Sequence, residues 1–220
     1  MSVLCDMDQL NKPQTYKFQD SRFRRNLFKL LRSAVNLFAE IEIHHPERAL
    51  TEGAVMYAAN HISAYDGVIM QIYIPRILRF MSKAELFRNP LMRYVLNKVG
   101  SFPVKRGEFD RQAIMNVRAV LEGGMALLMF PEGTRTYGKG MVQAKTGTAH
   151  FALKNNCPII PVAIYGAEQI LKHGIKKSKV DLVFCQPIEP GKRETAGELT
   201  ARIMQSIAEE LPPHMRGVYA

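Results

Sequence analysis

Residues 54–73 read AVMYAANHISAYDGVIMQIY, and this stretch decides the fold class. Residues 54–59 form an apolar run of strand length, and residues 63–73 carry a helical pattern. A short polar loop, residues 60–62, connects the two. A strand that leads through a short loop into a helix is the first half of a βαβ unit, which builds a parallel sheet covered by helices.

The same alternation of strand-length apolar runs and helical patterns continues along the chain. We predict a single α/β domain with a mainly parallel central sheet, flanked by helices on both faces. No internal repeat or linker divides it. The predicted strands cover residues 54–59, 77–81, 101–105, 125–130, 159–164 and 180–185, and the predicted helices cover residues 63–73, 89–98, 109–122, 146–155 and 194–211.

A basic amphipathic helix is predicted over residues 22–41, in front of this domain. Apolar side chains recur there at steps of three and four residues, and arginines and lysines fill the other faces. Such a helix suits an anionic membrane surface, although its apolar stripe could instead cap the core of the domain. We divide the chain into an N-terminal arm with this amphipathic helix, residues 1–41, and the α/β domain, residues 42–220.

The composition points to anionic partners. The chain has 220 residues, with 30 Lys or Arg against 20 Asp or Glu, and a net charge of +10. Nucleic acid, a phospholipid surface and acidic substrates all satisfy such a charge. The three cysteines are far apart, so neither a disulfide framework nor a zinc site is indicated. Such cysteines suit a reducing cytosolic compartment, which we expect for this protein. The sequence predicts no membrane-spanning helix and no secretory signal, because it lacks the long apolar run of the first and the apolar segment of the second.

The polar loop after the first predicted strand carries a histidine and a carboxylate, in the segment NHISAYD of residues 60–66. Loops after strand ends hold ligands in open α/β sheets. A continuous helix would leave His61 and Asp66 about 140° apart, whereas a loop can fold the ring back onto the carboxylate. An aspartate that binds one imidazole nitrogen leaves the other free as a general base. Ser63 and Asp66 also fit a capping box, and both interpretations can hold together.

The segment FPEGTR, residues 130–135, follows another predicted strand and suits an anion. Gly133 permits a tight turn, Thr134 and, directly after the segment, Thr136 supply hydroxyl donors, and Arg135 supplies a planar guanidinium that matches phosphate. Glu132 would be a poor neighbour for phosphate unless it pairs with an arginine or shapes the loop, and we favour the pairing. A turn with solvated charges is the alternative interpretation.

A third segment, GSFPVKRG at residues 100–107, is a short strand that ends in two adjacent cations. Adjacent strand residues point to opposite faces, so Lys105 and Arg106 should have different roles. Residues 76–118 carry ten Lys or Arg against three acidic residues, a net of 10 − 3 = +7. We interpret most of this charge as a solvated or anion-facing surface.

The remaining candidates are interpreted as structural. Residues 157–164 read as a core strand in which Pro161 suggests a sheet edge or an irregularity. Cys157 has no nearby base in the sequence and is interpreted as a small apolar residue. His44 and His45 lack companion metal ligands and are interpreted as a surface turn. Sequence motifs of serine hydrolases, nucleotide-binding loops and zinc proteases are absent, so no metal site is predicted.

Taken together and in this order, the segments resemble the 1-acyl-glycerol-3-phosphate acyltransferase (lysophosphatidic-acid acyltransferase) family and its glycerolipid acyltransferase relatives. The resemblance covers residues 60–164 and rests on N-H-x-S-x-x-D followed by F-P-E-G-T-R. It implies that His61 and Asp66 are the catalytic pair. Residues 145–147 and 160–162 resemble two further family segments. The resemblance associates the acyl acceptor and its phosphate with Gly100, Arg106, Glu132, Gly133, Thr134 and Arg135.

The resemblance implies transfer of a fatty acyl group from acyl-CoA or acyl-ACP to the free hydroxyl of a lysophospholipid, most simply 1-acyl-glycerol-3-phosphate. Glycerol 3-phosphate or another lipid is the alternative acceptor. No metal or organic cofactor is required. A nucleic-acid-binding protein is disfavoured, because the sequence resembles no recognition fold or aromatic stacking platform and contains no Trp. We expect peripheral association with the cytoplasmic face of a membrane.

Overall fold

Seven strands pair into one sheet, flanked by six α-helices, within the residues that the computed structural model describes, which are 21–50, 52–105, 110–172 and 176–220. The mainly parallel α/β fold predicted from the sequence is therefore confirmed. The strands are β1 (Ala39–His44), β2 (Val55–Ala59), β3 (Leu78–Lys83), β4 (Ser101–Val104), β5 (Ala126–Met129), β6 (Ile159–Tyr165) and β7 (Ser178–Phe184). The helices are α1 (Arg22–Phe38), α2 (Asp66–Tyr73), α3 (Pro90–Val99), α4 (Arg111–Glu122), α5 (Gly147–Asn155) and α6 (Ala196–Glu210).

The strand order across the sheet is β1-β7-β6-β2-β5-β3-β4. Five neighbouring strands, from β6 to β4, run parallel to one another. β7 pairs antiparallel with β6, and β1 pairs parallel with β7, so these two strands run in the opposite direction. The helices form two contacting groups, α1 to α3 and α4 to α6.

The central strands carry continuous apolar runs because both of their faces are covered. Every residue of β2 and β5 is buried, as are all residues of β6 except Tyr165. Burial also raises the pKa of the Cys157 thiol to about 12 and that of Cys185 to about 11. A thiol with such a pKa stays protonated at neutral pH, so the interpretation of Cys157 as an apolar core residue agrees with its environment.

The predicted N-terminal helix is too long at its C-terminal end. The helix α1 ends at Phe38, and Ala39–His44 continue as the strand β1, which the sequence analysis missed. Ile41 and Ile43 pack against the core, whereas Glu40 is exposed. Ile41 fits the helical spacing of the preceding apolar residues, which hid the period-two alternation of a strand.

The expectation that Pro161 marks a sheet edge is wrong, because β6 lies between β2 and β7. Pro161 stands opposite Ala58 of β2, and its carbonyl accepts from the Cys185 amide at 2.9 Å. The ladder to β7 begins at the next residue, where Val162 pairs with Phe184. Pro161 therefore lies just before the first residue pair of this ladder, so its missing N–H removes little of the hydrogen bonding between β6 and β7.

The parallel strands bring the loops that follow them to one edge of the sheet. The NHISAYD segment follows β2, and the FPEGTR segment follows the neighbouring strand β5. Ligands of open α/β sheets bind at this carboxyl edge. No helix among the described residues combines the length and the apolar character that crossing a bilayer requires.

Candidate active site

His61 and Asp66 are in direct contact at the carboxyl edge of the sheet. Nδ1 of His61 lies 2.7 Å from Oδ2 of Asp66. The same oxygen accepts the backbone amides of Ile62 and Ser63, each at 2.8 Å. The loop thus folds the imidazole back onto the carboxylate, as the sequence analysis expected.

The loop around Asp66 differs from the predicted capping box. α2 begins at Asp66, with Tyr65 as its N-cap, and not with Ser63. The Ser63 hydroxyl accepts from the Tyr65 amide at 3.2 Å. The Asp66 carboxylate serves the loop amides and the imidazole at the same time, so its side chain fixes the loop that carries His61.

The environment of Asp66 fixes the protonation pattern of the histidine. Because a carboxylate oxygen only accepts, Nδ1 of His61 carries the proton and Nε2 has a free lone pair. The Asp66 side chain is fully buried, whereas the His61 side chain is 17% exposed. Burial raises the pKa of the Asp66 carboxyl, and its hydrogen bonds to His61, Ser63 and Ile62 oppose that rise. The ring of Phe130 stacks on the imidazole, with centroids 4.1 Å apart, and limits its orientation.

Glu132 shapes the site without the predicted arginine partner. One carboxylate oxygen accepts the amide of His61 and the other accepts the amide of Val142, both at 2.8 Å. The residue is 3% exposed, and no described arginine pairs with it. Burial raises the pKa of this carboxyl, and the two amide donors oppose the rise. Glu132 therefore ties the FPEGTR loop to the backbone of the histidine.

The rest of the FPEGTR segment faces solvent beside this link. Gly133, Thr134 and Arg135 are all exposed. Gly133 adopts φ +67°, a conformation that favours glycine, and a Cβ at this position would lie 3.5 Å from Cε of Lys145. The lysine stem thus lies along the glycine turn. The exposed groups on this side of the site are a hydroxyl, a guanidinium and an ammonium, and the imidazole of His61 is partly exposed. Such groups are suitable for binding a phosphate ester.

Two further residues hold the site together, and of these the sequence analysis assigned a role, as a hydroxyl donor, only to Thr136. Asn60 is fully buried and bonds the β6 backbone, with its Nδ2 donating to the Ile164 carbonyl and its Oδ1 accepting from the Ile164 amide, both at 2.8 Å. Thr136 donates its amide to the His61 carbonyl at 2.8 Å. The signal for Asn60 was its position as the first residue of the NHISAYD segment, and that for Thr136 was its position directly after FPEGTR.

The third predicted segment is described only in part. Arg106 lies outside the described residues. Gly100 ends α3 in a left-handed conformation, φ +93°, and a Cβ there would lie 2.8 Å from the Leu78 carbonyl. Only glycine fits this close approach, which gives Gly100 a clear structural role.

His44 has the companions that the sequence did not reveal. Its Nε2 lies 2.8 Å from Oδ1 of Asp181 on the neighbouring strand. Together with Glu42, these residues form a group of three side chains of the kinds that bind metal ions. Glu42 is already bound by the ammonium of Lys179 at 3.0 Å. We interpret the group as an ion-pair network on the β1–β7 surface, distant in the sheet order from β5.

Comparison with known proteins agrees with these features. The family model described as Acyltransferase matches residues 40–165, more than half of the chain. The chain belongs to the acyltransferase family. The match includes both His61 with Asp66 and the FPEGTR loop, and the resemblance noted from the sequence is confirmed at the level of the family.

Named relatives of this acyltransferase share about a quarter of its residues. It is 26% identical over 195 residues to the 1-acyl-sn-glycerol-3-phosphate acyltransferase of Bacillus subtilis, which covers 86% of this chain and 95% of the relative. The enzyme of the same name from Escherichia coli K12 is 27% identical over 183 residues, covering 77% and 74%. A Chlamydomonas reinhardtii relative is 27% identical over 169 residues, covering 74% of this chain but only half of that protein.

A solved structure shows the same fold. The crystal structure of the 1-acyl-sn-glycerophosphate acyltransferase from Thermotoga maritima superposes with a TM-score of 0.71 at 21% identity, covering 88% of this chain and 82% of the other. The two proteins therefore share the same overall fold.

Proposed function

We propose that this acyltransferase moves a fatty acyl group from an acyl thioester, acyl-CoA or acyl-ACP, to the free hydroxyl of 1-acyl-glycerol-3-phosphate and so forms phosphatidic acid. The 2.7 Å contact between His61 and Asp66 carries the proposal, because it prepares a histidine base at the carboxyl edge of the sheet. The names of the relatives in Bacillus subtilis and Escherichia coli support the choice of acceptor.

In the proposed reaction, Nε2 of His61 takes the proton of the acceptor hydroxyl while the oxygen attacks the thioester carbonyl. The new C–O bond forms, the C–S bond breaks, and the imidazolium returns the proton to the leaving thiolate. Asp66 holds the ring through Nδ1 and stabilises the transient positive charge. Phe130 stacks on the imidazole and keeps its orientation fixed during both proton transfers.

The acceptor phosphate is proposed to lie against the FPEGTR loop. Thr134 and Arg135 are exposed there, and Lys145 runs along the Gly133 turn. Glu132 is proposed to position the loop and not to touch the substrate, because both of its oxygens already accept backbone amides. Arg106 keeps its proposed role as a second phosphate ligand.

Replacing Arg135 with glutamine is expected to raise the KM for the lysophospholipid about 10- to 100-fold and to change kcat little. A charge-assisted hydrogen bond contributes about 1.5–3 kcal/mol, and this bond would exist equally in the bound substrate and in the transition state. The measurement is steady-state kinetics with a varied acceptor. The control is Arg118→Gln, which removes an exposed arginine paired with Glu122 on α4. An unchanged KM for Arg135→Gln would remove it from the phosphate site.

An acceptor panel tests the proposed function itself. Purified protein is incubated with a long-chain acyl-CoA or acyl-ACP and, separately, with lysophosphatidic acid, glycerol 3-phosphate or lysophosphatidylcholine, and products are identified by mass spectrometry. We expect phosphatidic acid as the main product. Faster acylation of glycerol 3-phosphate would assign the alternative acceptor, and no product from any acceptor would reject the proposal.

We propose a peripheral position at the cytoplasmic face of a membrane, and the outward side of α1 supports contact with an anionic bilayer. Val35 and Phe38 pack on the core, so one side of the apolar stripe does cap the domain. Leu30 and Leu37 are nonetheless 67% and 61% exposed. Apolar side chains flanked by exposed basic residues bind reversibly at a bilayer surface.

The double substitution Leu30→Gln and Leu37→Gln is expected to weaken binding to anionic liposomes about 10-fold or more, because each inserted leucine contributes about 1.5–3 kcal/mol when fully buried. Flotation measures the bound fraction. A truncation up to residue 41 is less suitable, since it would remove half of β1. The control is Val218→Gln, at a site that is 62% exposed near the C-terminal end. Equal flotation of the α1 variant and the control would exclude α1 as the anchor.

A further inference from the structure

A cavity of about 340 Å³ lies between α1 and the segment that joins α2 to β3. Its volume falls in the range of small-molecule sites. Five of the side chains that line it are cationic, and none of its described lining residues is acidic. The cations are Arg24, Arg25, Lys29, Arg32 and Arg76.

The cavity is separate from the candidate active site. Its lining residues 74–77 lead into the first residue of β3. His61 follows the last residue of β2, and both strands run parallel to β5. The cavity and His61 therefore lie at opposite ends of the parallel strands, and one phosphate group cannot serve both.

The positive charge of the cavity is concentrated and partly fixed in place. The Arg76 guanidinium donates to the carbonyls of Gly53 at 2.8 Å and Gly124 at 3.1 Å. These carbonyls orient the guanidinium but do not neutralise it. Neither Lys29 nor Arg32 forms an ion pair with any described residue. Lys29, Arg32 and Arg76 line one space and repel each other, and a bound anion removes that penalty.

The uncharged walls of the cavity indicate more than a bare anion. Gln71 is 6% exposed, and its Nε2 donates to the Leu78 carbonyl at 2.6 Å. Its Oε1 is buried without a hydrogen-bond donor. This oxygen has almost no accessible surface, so Gln71 contributes to the wall of the cavity and not to hydrogen bonding with a ligand. Phe28 and Ile74 add apolar wall for a glycerol backbone or the first carbons of an acyl chain.

We propose that this cavity binds the phosphate-bearing headgroup of an anionic glycerophospholipid. The proposal rests on the proposed position of α1 at the bilayer surface, which would bring such headgroups to the cavity mouth. The site makes membrane attachment depend on headgroup chemistry as well as on net charge. It leaves the acceptor phosphate to the FPEGTR loop at the other end of the strands.

A tryptophan introduced at Phe28 gives a local readout, because the chain contains no Trp. Phe28→Trp protein is titrated with dihexanoylphosphatidylglycerol below its critical micelle concentration. Dihexanoylphosphatidylcholine and glycerol 3-phosphate are titrated in parallel. We expect a saturable change in emission with the phosphatidylglycerol, none with the phosphatidylcholine, and glycerol 3-phosphate at least about tenfold weaker, since it lacks the apolar contacts.

Two results in this titration would overturn the proposal. They are the absence of saturation with phosphatidylglycerol, and equal affinity for glycerol 3-phosphate, which would assign the cavity to soluble phosphate esters. Should Phe28→Trp unfold at a lower temperature than the natural chain, δ1-methyl NMR signals of Ile72, Ile74 and Ile77 in the unsubstituted protein give the same readout.

Two double variants distinguish a specific binding site from general electrostatic attraction to the basic surface. Lys29→Gln with Arg32→Gln is expected to weaken phosphatidylglycerol binding about tenfold or more, because it removes two charge-assisted contacts. Arg22→Gln with Arg93→Gln removes the same charge from α1 and α3 outside the cavity, and should change the affinity about twofold or less. Equal losses in both pairs would overturn the site.

Acyl transfer in detergent micelles distinguishes a failure here from a failure of the proposed function. The Lys29 and Arg32 variant should retain the kcat of the natural chain, because the cavity and His61 lie at opposite ends of the strands. Loss of phosphatidic acid synthesis with intact phosphatidylglycerol binding would count against the reaction alone.

Discussion

Replacing His61 with alanine should lower kcat for acyl transfer about 10²- to 10⁴-fold, the usual contribution of a positioned general base. The substitution removes the only nitrogen placed to take the hydroxyl proton in the proposed reaction. It should leave the fold intact, because the imidazole is partly exposed and Asp66 keeps its two backbone donors. Radiolabelled acyl transfer and thermal unfolding measure the two effects.

The chain offers a matched control for this substitution. His44 is also a partly exposed histidine held by an aspartate, with Nε2 at 2.8 Å from Asp181. It lies on β1, at the far edge of the sheet from β4. His44→Ala should therefore keep acyl transfer close to that of the natural chain. Wild-type activity in His61→Ala, or equal losses in both variants, would remove His61 from the role of base.

Replacing Asp66 with asparagine should lower kcat about 10²-fold or more and leave the acceptor KM nearly unchanged. An asparagine cannot stabilise the imidazolium, and its amide group lets the ring take the wrong tautomer. Because burial raises the pKa of Asp66, removing its charge relieves a desolvation cost. The unfolding temperature should consequently not fall, which separates a catalytic defect from a folding defect.

Asp181→Asn is the corresponding control, since Asp181 also binds a histidine, through Nε2 of His44, and is 9% exposed. We expect it to keep the kcat of the natural chain. A comparable loss in Asp181→Asn would show that the Asp66 result reflects general damage to buried carboxylates.

The parallel sheet could be predicted because both faces of its central strands are covered. β2, β5 and β6 are apolar along almost their whole length, and helical patterns separate them. The strand β1 could not be recognised in the same way. Its apolar residues, Ala39, Ile41 and Ile43, alternate with polar ones, but Ile41 also continues the spacing of α1. Residues 39–44 form a strand and not a further turn of α1 because they pair with β7, which is far away in the sequence.

The candidate site was predictable where its residues are close in sequence. The five-residue separation of His61 and Asp66 requires a loop, and the loop brings them together. The partners of Glu132 were not predictable, because Val142 reaches it through a turn with no strong pattern. The sequence shows Glu132 only as a charged residue and does not show that it is buried against backbone amides. An ion pair with an arginine was therefore expected, and this expectation was wrong.

The basic cavity was not predictable from the sequence. Its cations come from α1 and from Arg76, about fifty residues later, and appeared in the sequence as two separate basic stretches. The helix pattern of α1 indicated which residues are apolar. Only the packing of α1 beside α2 shows which of its cations share one space.

The proposal that His61 and Asp66 act as one catalytic unit is tested most directly by a double-mutant cycle. The cycle compares kcat for His61→Ala, Asp66→Asn and the combined variant. If Asp66 acts through the imidazole, the combined variant should be no more than about twofold slower than His61→Ala alone. Losses that multiply in the combined variant would contradict a single catalytic unit.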